Sequence, residues 1–309
     1  MLEILTVIAP LFLIIFGSAI IARLIKIDGS WQKVLNSFAL NVGFPALIFS
    51  ALAATDLKIS EELDLILVNS VFLIFAFVLA ILLGKIFHLK KKMFRTLFIC
   101  LGFGNVAYLG IPTLMQVSGE AVLPTASLIV AIYLFWMFTL GLGYLTFSQE
   151  EKTGKALKKV VLSLVKNPLL IAVVLGILAS LLKVQLPSLL NTSISMIAGS
   201  VTPLVLVVIG LFIGTSRIGK IKSWIPIAFF SIFTLAVLPA LLFYGLQLAG
   251  MAPQSFSATI IEAAMPLAIT PFALADEYKL DKDFIAKAIV LSTILSVVTI
   301  PLWSTLMAA

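Results

Sequence analysis

Along most of this sequence the hydrophobic positions neither alternate nor keep to one helical stripe. They form continuous blocks closed by charged or turn residues. A block of about 20 apolar residues is what an α-helix needs to cross a bilayer, whereas membrane strands would show segments of about ten residues alternating in polarity. The blocks predict ten spans, at 4–22, 34–54, 65–87, 95–117, 121–147, 168–183, 189–213, 224–249, 256–274 and 284–307. The first opens with Glu3 and carries its earliest cations, Arg23 and Lys26, behind it, the reverse of a cleaved signal peptide. The expected fold is all-α and integral to the membrane.

The charges orient these spans. Lys and Arg within 23–33, 85–95, 152–166, 217–222 and 279–287 make up 19 of the 21 cations, and only Lys58 and Lys183 fall on the opposite side. By the positive-inside rule the 148–167 segment is expected in the cytoplasm and both termini outside it, in a cell membrane. The net charge of +7 is then a topology signal, and a nucleic-acid partner is excluded. Composition agrees. Of 309 residues 61% are hydrophobic and 11% charged, against roughly 25% charged in soluble domains, and the mean hydropathy is +1.20. One cysteine, Cys100, and one histidine, His88, exclude a disulfide framework and a Cys/His metal cage. Cys100 reads as apolar filler and His88 as part of a cytoplasmic loop. Within 148–167, the apolar residues Leu157, Val161, Leu164 and Val165 have helical spacing and allow a helix on the inner membrane surface. The segment is read here as a linker.

The prolines suggest a repeat. Pro10, Pro45 and Pro112 lie 158, 158 and 159 residues before Pro168, Pro203 and Pro271, each pair five spans apart. A duplicated unit of five spans would run inverted in its second copy. Inverted repeats with interrupted helices are an architecture of secondary transporters, with the solute site at the repeat interface. The expectation is a first five-helix repeat at 1–147, a linker at 148–167 and a second, inverted repeat at 168–309, with two broken, crossing helices.

Two segments combine helix breakers with polar side chains at mid-span. One is Gly102-Phe-Gly-Asn105-Val-Ala-Tyr108-Leu-Gly110-Ile-Pro112-Thr113, the other Glu262-Ala-Ala-Met265-Pro266-Leu-Ala-Ile-Thr270-Pro271-Phe272. A break at that depth exposes backbone N–H groups that suit an anion and carbonyls that suit a cation, although the same residues can serve as packing kinks. Glu262 is the only acid well inside a span, with no Lys or Arg at comparable depth. An unpaired charge there costs at least about 2.5–3.5 kcal/mol, so it must be protonated, hydrated or bound to a cation. That makes it the candidate coupling group for Na+ or H+. Asn105, Thr125, Ser127 and Met265 are the expected completion of that shell. Asn105, Tyr108, Gly110, Pro112, Thr113, Met265, Pro266, Thr270 and Pro271, with Asn41 as an outlying member, form the candidate solute site. Tyr108 is at least equally an aromatic packing residue, Ser127 and Thr125 are of types that more often bond the preceding helix turn, and Asn41 is equally the source of a helix–helix hydrogen bond.

At these segments the chain resembles the auxin efflux carrier family, whose plant members are the PIN-type carriers. Asn105 to Pro112 (NVAYLGIP) is similar to the family's Asn…Gly-Ile-Pro stretch, and Met265 to Tyr278 (MPLAITPFALADEY) to its Pro…Pro-Phe…Glu-Tyr stretch. Asn41…Pro45 agrees, so the resemblance covers essentially the whole chain. It implies a fold related to bile acid:sodium symporters. Spans 1, 2, 6 and 7 would be a scaffold, spans 3–5 and 8–10 a moving transport core, and the assembly a homodimer in membrane lipid. Plant members carry a long loop between spans five and six. This chain has about twenty residues there, like prokaryotic members associated with malate, malonate or other organic acids. The Glu262…Met265 arrangement resembles the acid-bearing broken helix of sodium-coupled relatives, which implies Na+.

The expected function is secondary active transport of a small organic carboxylate by alternating access, with no cofactor beyond the coupling ion. An uncoupled uniporter for an auxin-like or other organic anion, and a receptor that binds without turnover, are the alternatives. Intramembrane catalysis needs an acid pair, a paired nucleophile and base, or a ligand cluster inside the membrane, and none is legible.

Overall fold

The computed structural model describes residues 2–56, 62–149, 153–216 and 224–308. Lys58, Lys152, Arg217, Lys220 and Lys222 of the charge census lie outside the described residues. Thirteen helices follow in order: α1 (Leu2–Leu24), α2 (Gly29–Ala53), α3 (Leu63–Ile86), α4 (Lys91–Gly102), α5 (Val106–Ser118), α6 (Glu120–Phe147), α7 (Thr153–Val165), α8 (Pro168–Leu181), α9 (Ser188–Thr215), α10 (Ile225–Leu248), α11 (Ser257–Ala263), α12 (Thr270–Leu274) and α13 (Lys282–Ala308). Among the described residues there is no strand, only one isolated bridge between Gly104 and Leu267.

Seven of these helices, α1, α2, α3, α6, α9, α10 and α13, are each long and apolar enough to cross a membrane. The stretch Ala156–Val165 of α7 and helix α8, bent by 53° at their junction, meet the same test only when taken together, as an eighth candidate span. Large apolar side chains such as Leu13, Val71, Val174, Phe229 and Val298 are exposed on their outer faces, as lipid contact requires. The two remaining predicted spans, 95–117 and 256–274, are each interrupted in the middle, as α4/α5 and α11/α12. Helix α7 occupies most of the connecting segment. Ala156 and Val160 of α7 are buried while Leu157, Val161, Leu162 and Val165 are exposed.

Small residues set the packing. Helix α1 lies along α9 because Gly210 and Gly214 of α9 leave no side chain in the way. A Cβ on Gly210 would stand 2.3 Å from the Ile15 carbonyl oxygen, and one on Gly214 2.4 Å from that of Ala19. This small-xxx-small spacing lets backbones approach where lipid supplies no hydrophobic drive. Helix α2 packs on α8, where Gly176 admits Leu52. Helix α3 packs on α4 and α6, and α10 on α13.

Prolines shape the interiors. Phe44, Ile111 and Leu238 each precede a proline and donate five residues back, to Ala39, Val106 and Phe233. Proline has no N–H and crowds the carbonyl four residues earlier, and a widened π turn takes up that strain. At the helix ends, Lys26, His88, Lys183, Lys279 and Gly250 take left-handed backbone. The residue after each one donates back into the helix, for example Ile27 N–H to the Ala22 carbonyl at 3.0 Å, a Schellman end. At the start of α2 the Ser30 hydroxyl and N–H both donate to the Asp28 carboxylate, holding it below the usual carboxylate range.

Candidate functional site

The two interruptions meet. Phe103, Gly104 and Asn105 run non-helically between α4 and α5, opposite the stretch 264–269 between α11 and α12. The Asn105 N–H donates to the Pro266 carbonyl at 2.7 Å, and the Ala268 N–H donates to the Phe103 carbonyl at 2.9 Å. The Leu267 N–H donates to the hydroxyl oxygen of Ser292 on α13 at 3.1 Å. Irregular backbone at membrane depth has to find partners inside the protein, and these three bonds supply them. The local chemistry explains why the chain breaks here. Pro266 forces Met265 out of helical backbone, and Gly102 leaves room for the Phe77 ring, which a Cβ would meet at 2.7 Å.

Glu262, in the last turn of α11, is fully buried, and neither carboxylate oxygen has a hydrogen-bond partner. It lies against Gly110 in the π turn of α5, where a Cβ would stand 2.0 Å from Oε2. Glu262 also lines an internal cavity of about 20 Å³ with Tyr133, Cys100, Gly104, Thr234, Met265 and apolar neighbours including Phe72, Phe103 and Leu238. One water needs about 10–15 Å³ on this scale. The Tyr133 hydroxyl is buried without a partner. A negative charge held this way would be uncompensated, so a proton or a cation has to accompany it. A proton needs no ligand shell. A Na+ ion is a hard cation that needs oxygens, and the groups lining the cavity offer the carboxylate, the Tyr133 and Thr234 hydroxyls and backbone carbonyls. Among the described residues no group of three His, Cys, Asp or Glu stands ready for a metal.

The residues singled out in the sequence are distributed unevenly around this centre. Asn105, Gly110, Met265 and Pro266 belong to the paired breaks, and Asn105 is buried with no side-chain hydrogen bond among the described residues. Pro112 and Pro271 each sit at the second position of the regular helix that follows its break. Thr113 and Ser127 are fully buried with unpartnered hydroxyls, while Thr125 is half-buried. Tyr108 has partners of its own. Its hydroxyl donates to the Asn36 side-chain oxygen at 2.7 Å and its ring stacks on Phe44 at 5.2 Å. Asn41 is exposed and donates to its own helix, to the Ser37 carbonyl at 2.8 Å. Thr270 is exposed at the start of α12. Two residues on, Phe272 lines a cavity of about 370 Å³ with Gln32, Phe212, Thr215, Ser216, Lys282 and Asp283, between the start of α2, the end of α9 and the start of α13.

Sequence reasoning missed Tyr133, Thr234 and Ser292, which look like any hydroxyl in an apolar block. It also missed Lys287, which is buried and ion-paired to Asp283 at 2.5 Å. Only the fold brings these groups to the breaks or to the start of α13.

A family model described as membrane transport protein matches residues 3–304 of this chain. An uncharacterized transporter of Methanocaldococcus jannaschii is 28% identical over 277 residues, covering 88% of each chain. An uncharacterized transporter of Methanothermobacter thermautotrophicus is 27% identical over 305 residues, covering 97% of this chain and 96% of its own. A protein of Rhizobium meliloti provisionally named a malonate transporter is 24% identical over 308 residues, covering 97% of this chain and 94% of its own.

Proposed function

The chain belongs to the membrane transport protein family, the auxin efflux carrier-like family its two motifs resemble, and is a transporter, not an enzyme; on that premise we propose that it carries a small organic dicarboxylate by alternating access, coupled through Glu262. The observation that carries this reading is the pairing of two broken spans beside a buried carboxylate with no partner. Solute would bind at the breaks near Asn105, Gly110 and Thr270, held by backbone N–H groups. The cavity beside Phe272 and Lys282 would be the vestibule to that point. The name of the Rhizobium relative favours malonate as the first solute to test.

Each broken pair would cross the membrane once, giving ten spans as two inverted repeats. Besides the proline offsets, matching left-handed ends support this, since Lys26 and Lys183 close α1 and α8, and His88 and Gly250 close α3 and α10. Helices α1, α2, α8 and α9 would be the scaffold, and a homodimer is proposed from the family resemblance alone. The mostly apolar lining around Glu262 favours a protonated carboxylate in this conformation. A Na+ ion at Glu262 remains the second reading; of the shell expected from the sequence only Met265 lines the cavity with Glu262, and the oxygens beside the carboxylate are those of Tyr133, Thr234 and the backbone.

Proteoliposome uptake of labelled malonate under imposed Na+ or H+ gradients tests the proposal. Saturable flux driven by one gradient and lost in Glu262→Gln supports it. Flux independent of both gradients in both forms makes the carrier a uniporter with a structural Glu262. Binding without flux makes it a receptor.

A further inference from the structure

Apart from the paired breaks and the cavity beside Phe272, the structure holds another polar cavity, of about 340 Å³, lined by Lys91, Arg95, Ser148, Gln149, Glu277 and Lys279. These residues come from the start of α4, the end of α6 and the turn after α12, so the cavity ties the beginning of the first broken span to the end of the second. Arg95 is buried. Its guanidinium donates to the Ser148 carbonyl, while its buried Nε has no acceptor. Lys91 and Lys279 have no ion pair among the described residues. The one acid of the lining, Glu277, is engaged elsewhere, bonded to Lys159 at 2.8 Å. Lys91 is also the first residue of a 12-residue helix whose N-cap, Lys90, offers no side-chain acceptor. The free N–H groups of that turn favour an anion.

We propose that this cavity binds a phosphate group, held by Arg95, Lys91 and Lys279 at the cation-rich face of the membrane. Three cations, a guanidinium with a donor to spare and an uncapped helix start exceed what a single carboxylate would balance. A tetrahedral anion presents several oxygens to a fork and two point charges at once. The group can come from an anionic lipid headgroup or from free phosphate. In either case it would clamp together the ends of the two broken spans that the proposed transport cycle has to move.

The test uses full-length protein purified in neutral detergent, with native mass spectrometry for retained lipid and thermal unfolding for affinity. The probes are phosphatidylglycerol, phosphatidylcholine, inorganic phosphate and malonate. Phosphatidylglycerol should bind the wild type, and Lys91→Gln with Lys279→Gln should weaken it roughly tenfold or more while leaving size-exclusion behaviour unchanged. Because both lysines sit at the surface, this variant avoids the folding risk of replacing Arg95. Competition by inorganic phosphate would show that the site takes the free anion as well as the headgroup. Absence of that competition would assign it to lipid. Equal affinity of wild type and double variant would overturn the proposal. So would equal binding of phosphatidylcholine, or displacement by malonate as effective as by phosphate.

Discussion

At the scale of single residues, the arrangement around Glu262 depends on one missing methyl group. Gly110→Ala would place a Cβ 2.0 Å from Oε2, so either the carboxylate or the π turn has to move. The expected result is a folded protein whose coupling between solute and ion falls tenfold or more, read by solute titrations with and without the ion. Gly143→Ala, on α6 and outside the cavity around Glu262, is the control, since its Cβ would meet nothing closer than 3.9 Å and should leave coupling intact. Glu262→Gln removes a charge that has no partner while keeping its shape. Its melting temperature should equal or exceed that of the wild type, and a large fall would mean that the carboxylate has a partner in the folded protein after all. By linkage, any ion that tightens solute must itself be tightened by solute by the same factor, and Glu262→Gln should abolish both effects together. Glu262 was legible in the sequence because an acid inside an apolar block stands out. Tyr133 was not, because a tyrosine there is unremarkable until the fold turns its hydroxyl toward the same cavity.

The broken spans show why element boundaries needed more than pattern. The blocks 95–117 and 256–274 read as single spans containing breakers, but where each breaks is set by bonds between them, Asn105 to Pro266 and Ala268 to Phe103. Ser292 on α13 supplies the remaining acceptor, to the Leu267 N–H. Ser292→Ala should leave that buried N–H unpaired and destabilise the protein by about 1–3 kcal/mol, seen as a lowered melting temperature in detergent. Ser296→Ala, whose hydroxyl bonds only its own helix at Thr293, should cost less. Gly210→Val tests the helix contact instead. Its side chain would enter the Ile15 backbone, and the overpacking should cost about 1–3 kcal/mol; an unchanged melting temperature would mean that α1 and α9 do not approach as described. The connecting helix α7 shows the opposite case. Its apolar spacing was visible, but whether that face met protein or membrane was decided by Ala156 and Val160 packing inward.

For the whole molecule, the charge census predicts which loops share a face, and among the described residues the structure brings segments 23–33, 85–95, 152–166 and 279–287 near one another or near the turn after α12. Lys92 lies 3.7 Å from Asp281 and Lys159 2.8 Å from Glu277, while Gln32 and Lys282 line one cavity. A cysteine at Lys158, in a Cys100→Ser background, should be labelled only from the cytoplasmic side; labelling only from outside would invert the proposed orientation. The proposed alternating access, with α2 and α9 in the scaffold and α13 in the moving core, would require α2 and α9 to move relative to α13. A flexible bis-maleimide joining Gln32→Cys to Asp283→Cys across their shared cavity should therefore stop flux, with recovery after cleavage of the tether. Undiminished flux in the tethered protein would place the moving boundary elsewhere.

What the sequence determined by itself is the environment and the periodic elements. Long apolar blocks cannot be solvated and a bilayer accepts little else, so spans, their charge asymmetry and the one costly acid follow from local composition. The resemblance in the two motifs pointed to the same family that the comparisons then identified. What only the tertiary structure decided is which polar atoms compensate one another. Asn41 turns to its own helix, Tyr108 to Asn36, and Thr270 outward, whereas Gly110, Tyr133 and Ser292 converge on the breaks. The physical reason is that a hydrogen bond or a close approach joins residues far apart in the chain, as Gly110 and Glu262 are. Hydropathy and helix breaking are properties of neighbours and can be read in order.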